Sequence, residues 1–357
     1  MSRIEKFIEY MEVNEIDIAF ITLPNSIYYF TGFNSNPHER FFSLLISLDK
    51  NPVLILPELD LDGATSKSSI QNFLSYKDDE DPMEIVKGFV KRKKKCGLEK
   101  SHLTMSRFEG ISSAINAMTY VDIDEAIQKM KVIKSQDEVE KIKKAIHISD
   151  AALLEALKKV KPGVSEYEIA AEIQYQRLKL GADGGGLMVV SGEKSALPHG
   201  RTGDRKLKEG DFLLIDGGVL KDGYVSDITR TFGVGEVTNQ QKEMYETVLA
   251  ANLAAIGAVE PGVSFSTLDM IARDIITRDG YGEYFTHRLG HGMGMNNHEY
   301  PSIHGLNTDA AQVGMVFTIE PGIYVPDVGG VRIEDDVLVK VDGVEVLSQF
   351  SKELMIL

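Results

Sequence analysis

Charged and apolar residues alternate at helical spacing through MSRIEKFIEYMEVNEIDIAF, which predicts an amphipathic helix near 3–14. Short apolar runs then predict strands near 17–22, 42–48 and 52–56, and helical periodicity returns near 81–94 and 106–118. That alternation is the pattern of a small α/β domain. The character changes around VDIDEAIQKMKVIKS, after which Ser135 opens a long amphipathic helix that Lys161-Pro162-Gly163 should stop. A domain boundary is expected near residue 124, dividing the chain into 1–124 and 125–357.

The second part carries a weak internal repeat. ALLEALKKVKPGVSEYEI (152–169) matches ANLAAIGAVEPGVSFSTL (251–268), each a helix that ends in Pro-Gly-Val-Ser before another begins. GDFLLIDGG from Gly210 matches GMVFTIEPG from Gly314, and in both an acidic residue, Asp216 or Glu320, follows six positions after the glycine. A duplicated half-domain with an acidic strand end in each copy suggests a pseudo-two-fold arrangement in which the carboxylates meet.

Pairing arithmetic sharpens this expectation. In DGGVLKDGYVSDITRT (216–231), a turn at Asp222-Gly223 would pair Lys221 with Tyr224, Asp216 with Thr229, and Gly218 with Asp227. Asp216 and Asp227 would then be diagonal neighbours on one face, with Cβ atoms roughly 7–8 Å apart. Like charges held so on an apolar ribbon need a cation or a shared proton. In VFTIEPGIYVPDVGGVRIEDDVLV, a turn around Pro326 to Gly330 sets Glu320 opposite Glu334, with Arg332 on the same face as Glu334 to offset the charge. Between the two ribbons lies HRLGHGMGMNNHEYP, with His287, His291 and His298. The His287–His291 spacing imitates a helical zinc pair, but glycines at 290, 292 and 294 argue against a helix there. One imidazole with four carboxylates is an oxygen-rich set, suited to a pair of harder divalent ions such as Mn²⁺.

Composition narrows the remaining classes. With 357 residues, 43% hydrophobic and 26% charged, the chain is long enough for two domains and ordinary for a globular protein. A net charge of −15 argues against a nucleic-acid partner, the basic run at 91–95 reading as a solvated helix end. Cys96 is the only cysteine, so no intramolecular disulfide forms; with no base suggested nearby it reads as structural. No signal-peptide core and no membrane-length apolar run is present, so a cytoplasmic location is expected. The GADGGG run at 181–186 lacks the Lys-Ser or Lys-Thr of a phosphate cradle and reads as a flexible loop.

LPHG, DGGVLKDGYVSDITRT, HRLGHGMGMNNHEYP, GMVFTIEPGIY and GVRIEDD resemble, in order and spacing, the metallopeptidases that cut Xaa-Pro bonds. These are the prolidase and aminopeptidase P group of the pita-bread fold, shared with methionine aminopeptidase and creatinase. NSIYYFTGF (25–33) extends the resemblance to that group's N-terminal domain. It implies an α/β chain with a small N-terminal domain and a pita-bread catalytic domain. It further implies two divalent ions per subunit, Mn²⁺ foremost with Co²⁺, Zn²⁺ or Fe²⁺ as alternatives. Asp216 would chelate one, Asp227 and Glu334 would bridge both, and His291 and Glu320 would complete the second. Glu320 would also move the proton to the leaving imide nitrogen, while His298 and His199 donate to the substrate and oxyanion and His287 lines the pocket.

By residue type alone His199 could cap a loop, Arg332 could be a structural counter-ion, and Tyr324, a candidate substrate contact, could belong to the core. SNPHERFF (35–42), taken to follow a YYFTGF strand, resembles the His-Glu-Arg loop of compact bacterial prolidases. That implies a homodimer in which His38 and Arg40 reach over the partner's site and favour Xaa-Pro dipeptides over longer peptides. An aminopeptidase for longer peptides is the alternative. A creatinase-like hydrolase or a binding protein on this scaffold should have lost metal ligands, and all five are present. Methionine aminopeptidases usually lack a domain like residues 1–124.

Overall fold

The computed structural model describes residues 1–90 and 94–357, so the first three residues of the basic run at 91–95 lie outside the described residues. The chain resolves into two compact units, Met1–Lys131 and Val132–Leu357.

The first unit alternates helices and strands. Its helices are α1 (Arg3–Val13), α2 (Pro24–Thr31), α3 (Leu61–Lys67), α4 (Pro82–Phe89), α5 (Met105–Ile115) and α6 (Asp124–Val132). Its strands are β1 (Ile18–Ile21), β2 (Ser43–Ser47), β3 (Lys50–Pro57), β4 (Phe73–Tyr76), β5 (Lys95–Leu98) and β6 (Thr119–Asp122), ordered β4-β3-β2-β1-β5-β6 in one mixed sheet. Helix α1 begins where the pattern predicts, because Ser2 and Glu5 form a reciprocal capping box. Cys96 is buried in β5, where burial pushes its thiol up to about 12, consistent with a structural role.

Three expectations change. The YYFTGF segment is not a strand: it forms the end of α2, started by Pro24 in the first turn and closed by Gly32 at φ 73°. The buried Glu99 carboxylate accepts the Thr22 and Leu23 amides just before that helix, satisfying donors an extended chain would have placed in a sheet. Helix α4 stops at Phe89 and not near 94, because Val90 turns to extended backbone. The division between units falls after Lys131, later than residue 124, because α6 is fastened to the first unit. Tyr29 donates to Met130 O at 2.8 Å, and Lys131 Nζ donates to Ser26 Oγ at 2.9 Å.

The second unit is built twice from one plan. Helices α7 (Gln136–Leu157) and α8 (Glu166–Lys179) precede β7 (Met188–Ser191), β8 (Phe212–Gly217), the short pair β9 (Leu220–Lys221) and β10 (Tyr224–Val225), and β11 (Ile228–Gly233). Helices α9 (Asn239–Gly257) and α10 (Phe265–Arg278) precede β12 (Gly290–Gly292), β13 (Glu299–Ile303), β14 (Val316–Ile319), β15 (Gly322–Val325), β16 (Gly329–Arg332), β17 (Asp335–Lys340) and β18 (Gly343–Val346). The sheets run β11-β8-β7 and β13-β12-β14-β17-β18, with β15-β16 a separate ribbon.

The Pro-Gly-Val-Ser repeats do the same job in each half. Ser165 and Ser264 cap α8 and α10, and each bridges the chain just ahead of the acidic strand, at Lys206 and Ala310. One core packs Leu153, Ile169 and Ile173 against Leu213, Ile215 and Phe232; the other packs Val248, Phe265 and Ala272 against Phe317 and Val337. Phe265 meets Phe317 edge-on at 5.7 Å, locking α10 to β14.

Both ribbons keep the expected register. Lys221 pairs with Tyr224 and Asp216 with Thr229, but the ladder opens between Gly217 and Leu220, so Gly218 and Asp227 stand opposite without pairing. A Cβ on Gly218 would lie 1.7 Å from Ser226 O, so only glycine lets the chain cross there. Gly218→Ala should therefore cost about 2–3 kcal/mol or more, read as a lower urea midpoint at unchanged m-value. Gly257→Ala, in open space at the end of α9, should be neutral or stabilising by up to about 1 kcal/mol. A tolerated Gly218→Ala would contradict the close crossing.

Candidate metal centre

Four backbone devices aim carboxylates into one cleft of about 570 Å³. Asp216 ends β8, and Asp227 stands in the open part of the same ribbon, where its amide donates to Asp336 Oδ2 at 3.0 Å. Glu320 and Glu334 occupy a second opening. There the β14–β17 ladder ends at Ile319 opposite Asp335, and the β15–β16 ladder begins at Gly322 opposite Arg332. Continuing either register sets the two glutamates face to face, as the turn at Pro326 to Gly330 predicts. The Glu320 amide instead donates to Leu289 O and the Glu334 amide to Thr229 O, so each glutamate is held by a different neighbouring strand.

His291 comes from β12, an extended segment and not a helix, as its flanking glycines require. Added Cβ atoms at Gly290 and Gly292 would strike the Thr318 and Tyr300 carbonyls at 2.0 and 2.1 Å. The His291 Nδ1 faces its neighbour's carbonyl, Gly292 O, at 3.1 Å. That makes Nδ1 the protonated nitrogen and leaves the Nε2 lone pair facing Glu320 Oε1 at 3.2 Å and Asp227 Oδ2 at 3.9 Å.

Ligand-capable atoms of Asp216, Asp227 and Glu334 lie within 4.8 Å of one another, and so do those of His291, Glu320 and Glu334. Glu334 belongs to both groups. Asp227 also belongs to a third group, with His291 and His298. Burial raises the pKa of Asp227 and Glu334 well above the usual carboxylate range, and repulsion from the neighbouring carboxylates, Asp216 and Glu320 in both cases, adds to it. Burial also pushes Glu320 up to about 7 and pulls His291 down to about 3. Crowded carboxylates that resist ionising beside an imidazole that resists protonation are what a divalent cation would relieve, so the donor set fits such an ion.

The other expected residues divide into free and committed groups. His199 and His298 are exposed at the cleft and make no side-chain hydrogen bond among the described residues. His287 also lines the cleft, but both ring nitrogens are engaged, with Arg288 O at 2.7 Å and Tyr324 OH at 2.9 Å. Burial lowers its pKa to about 4. Tyr324 is buried behind the cleft and does not line it; its hydroxyl accepts from Arg332 NH1 at 2.7 Å while serving His287. Arg332 in turn pairs with Asp216 Oδ2 at 2.6 Å, as a counter-ion should. His38 and Arg40 do not line the cleft, and the Arg40 guanidinium is gripped by both oxygens of Asp78 at 2.7 and 2.9 Å.

Some contributors were not foreseen. Arg288 lines the cleft with Ser302 Oγ, at 3.0 Å, as its recorded hydrogen-bond partner. Asn297 reaches Asp227 Oδ2 at 3.5 Å, Thr229 donates to Glu334 Oε2 at 2.5 Å, and Thr318 donates to Glu320 Oε1 at 3.3 Å. Thr229 was legible in principle, since the register sets it opposite Asp216. The GADGGG run is a mostly exposed loop, pinned at two points: a Cβ at Gly185 would lie 2.1 Å from Gly218 O, and Arg177 donates to Gly186 O.

Comparison with known proteins agrees with this geometry. The profile of metallopeptidase family M24 matches residues 140–341, and that of the creatinase/prolidase N-terminal domain matches residues 3–133. An uncharacterized peptidase of Staphylococcus aureus is 41% identical over 99% of this chain and 100% of its own. The prolidase of Pyrococcus horikoshii superposes with a TM-score of 0.92 at 37% identity, covering 99% of both chains. An X-Pro aminopeptidase of Thermotoga maritima superposes with a TM-score of 0.89 at 34% identity over 100% of both. With its carboxylates and imidazole gathered in a pita-bread domain that follows a creatinase-type N-terminal domain in the sequence, the chain belongs to metallopeptidase family M24.

Proposed function

We propose that this peptidase is a dinuclear-metal-dependent Xaa-Pro dipeptidase. The observation that carries the reading is the pair of donor groups sharing Glu334 in one cleft. Asp216, Asp227, His291, Glu320 and Glu334 would hold the two ions, with Asp227 and Glu334 shared between them and Mn²⁺ the preferred metal over Co²⁺, Zn²⁺ or Fe²⁺. Such ions supply a Lewis acid and water acidified to near neutrality. Glu320 takes the proton released in the attack and returns it to the imide nitrogen, which must be protonated to leave. His199 and His298, which make no side-chain hydrogen bond among the described residues, donate to the substrate carbonyl as negative charge develops on it. The committed ring of His287, with Tyr324 and Arg332, holds Asp216 and the cleft wall in place.

Dipeptide preference needs a cation for the free carboxylate beyond proline. Arg288 suits that role, because Arg332 is already paired with Asp216 while Arg288 has a neutral hydroxyl as its recorded partner. His38 and Arg40 would supplement it from the second subunit of a homodimer, Arg40 exchanging Asp78 for the peptide. Arg288→Met should raise KM for Xaa-Pro dipeptides about tenfold or more and leave C-terminally amidated dipeptides unaffected. His38→Ala/Arg40→Ala should weaken dipeptide cleavage only in the dimer. Equal rates on dipeptides and tripeptides, or a monomer in solution, would favour the aminopeptidase reading that the Thermotoga maritima likeness also supports.

Chelation should abolish hydrolysis and Mn²⁺ or Co²⁺ should restore it, with Asp227→Asn inactive because a bridging ligand serves both ions. Without a cation, Glu320 has a folded pKa of about 7 against an ordinary 4.5, so its proton stabilises the fold fully below pH 4.5. That stability is lost as pH rises through about 7, and Asp227 and Glu334 shift in the same direction. The Tm gap between metal-loaded and chelated protein should therefore widen from pH 5 to 7.5. Full activity after exhaustive stripping would sink the proposal, and a gap that narrows with pH would refute the electrostatic account.

His199→Ala and His298→Ala should each retain two ions while kcat/KM falls by about 10²–10³, the scale of one lost oxyanion donor. Loss of an ion from His298→Ala would make that histidine a ligand, as its grouping with Asp227 and His291 allows.

A further inference from the structure

A single buried amide spans the opening in which Glu320 and Glu334 stand. Asn252 lies on α9 with no exposed surface, among Val248, Ala251, Ala255 and Ile256. Its Nδ2 donates to Ile319 O at 3.1 Å and to Ile333 O at 3.2 Å. These are the carbonyls immediately before the two glutamates. Its Oδ1 accepts from Lys352 Nζ at 3.2 Å, and the same ammonium lies 3.1 Å from Asp335 Oδ2. The amide can face only one way, because two carbonyls can only accept and an ammonium can only donate.

The placement gives that amide more than a packing role. Between the Ile319–Asp335 and Gly322–Arg332 pairs the backbone bond that crosses the gap is a long one, Ile333 N to Pro321 O at 3.4 Å, so the ladder sets the distance between the strands only loosely. The glutamate amides pull outward, to Leu289 O on one side and Thr229 O on the other. An NH₂ group offers two hydrogens at a fixed angle, so donating both across the gap sets the spacing of the two backbones. An apolar residue would suit the surroundings of Asn252 on α9 equally well, and a polar group buried there is stabilised only by completing these bonds.

We infer that Asn252 is a positioning residue for the metal pair, a strut that holds Glu320 and Glu334 at the separation needed to place the second ion beside the first. The inference rests on the dinuclear reading above. Loss of the strut should act on ion uptake first, since residues that orient ligands typically contribute about 10–100-fold to metal affinity.

The test is titration of chelator-treated protein with Mn²⁺, counting free ion by its paramagnetic resonance signal and reading Tm in parallel. Wild type should take up two ions. Asn252→Leu should hold the first within about threefold of wild type and lose about 10–100-fold for the second, with kcat reduced and KM for an Xaa-Pro dipeptide nearly unchanged. Asn252→Asp, which sets an oxygen against two carbonyls, should behave likewise. Lys352→Met, a partly exposed position that the fold should tolerate if Asn252→Leu does not fold, should weaken the second ion by a smaller factor. Val248→Ala, a cavity on the same helix that breaks none of these bonds, should lower Tm and leave both affinities intact. A wild type that binds one ion overturns the dinuclear reading itself. A wild type that binds two, with Asn252 variants matching its affinities or behaving like Val248→Ala, overturns the strut alone.

Discussion

Four carboxylates converging in one cleft, with Asp227 and Glu334 buried, are the constraint around which the second unit is arranged. Asp227, Glu320 and Glu334 are costly to ionise there, and neighbouring carboxylates, Asp216 among them, raise that cost. A chain that places them so must hold them by something stronger than their own side-chain preferences. Here the backbone does it. Both ribbons open at the acidic positions, and the amides of Asp227, Glu320 and Glu334 are each taken by a neighbour outside their own ladder. Side-chain hydroxyls of Thr229 and Thr318 then fix the glutamate oxygens.

The surroundings follow from the same need. Arg332 offsets Asp216 and is itself oriented by Tyr324, whose hydroxyl also holds His287 in its neutral form. Asp335, one residue from Glu334, is neutralised by Arg230 and Lys352, so its charge does not add to the cluster. The glycines at 185, 217 and 218 let the 184–186 loop and the two arms of the first ribbon approach at backbone contact distance. The chain is similar to both a prolidase and an X-Pro aminopeptidase.

The duplication explains why the floor is so regular. Each half supplies a helix pair, a serine cap, a bridge to the acidic strand and a carboxylate at the strand's end. Each half also sets a strand beside its acidic strand, β7 in the first and β12 in the second, but only β12 carries a histidine, His291. One plan used twice gives a nearly symmetric carboxylate cage, and one departure from it supplies the nitrogen donor that makes the cage unsymmetrical.

Much of this was legible in the sequence because it depends on local rules. Turn residues at Asp222-Gly223 and around Pro326 to Gly330, with the period of two, fix the register of both ribbons, and with it the facing of Glu320 and Glu334. Flanking glycines ruled out a helix at His291, and the repeated Pro-Gly-Val-Ser marked both caps. What the sequence misplaced depended on distant partners. YYFTGF became a helix because Glu99, far along the chain, satisfies the amides ahead of it, and α6 joined the first unit through Tyr29 and Ser26. Arg40 is committed to Asp78, while Arg288 was overlooked and Asn252 was invisible among the alanines of an ordinary helix. Which strand a residue faces is written in its neighbours, but which side chain a buried donor meets depends on segments that come together only when the chain folds.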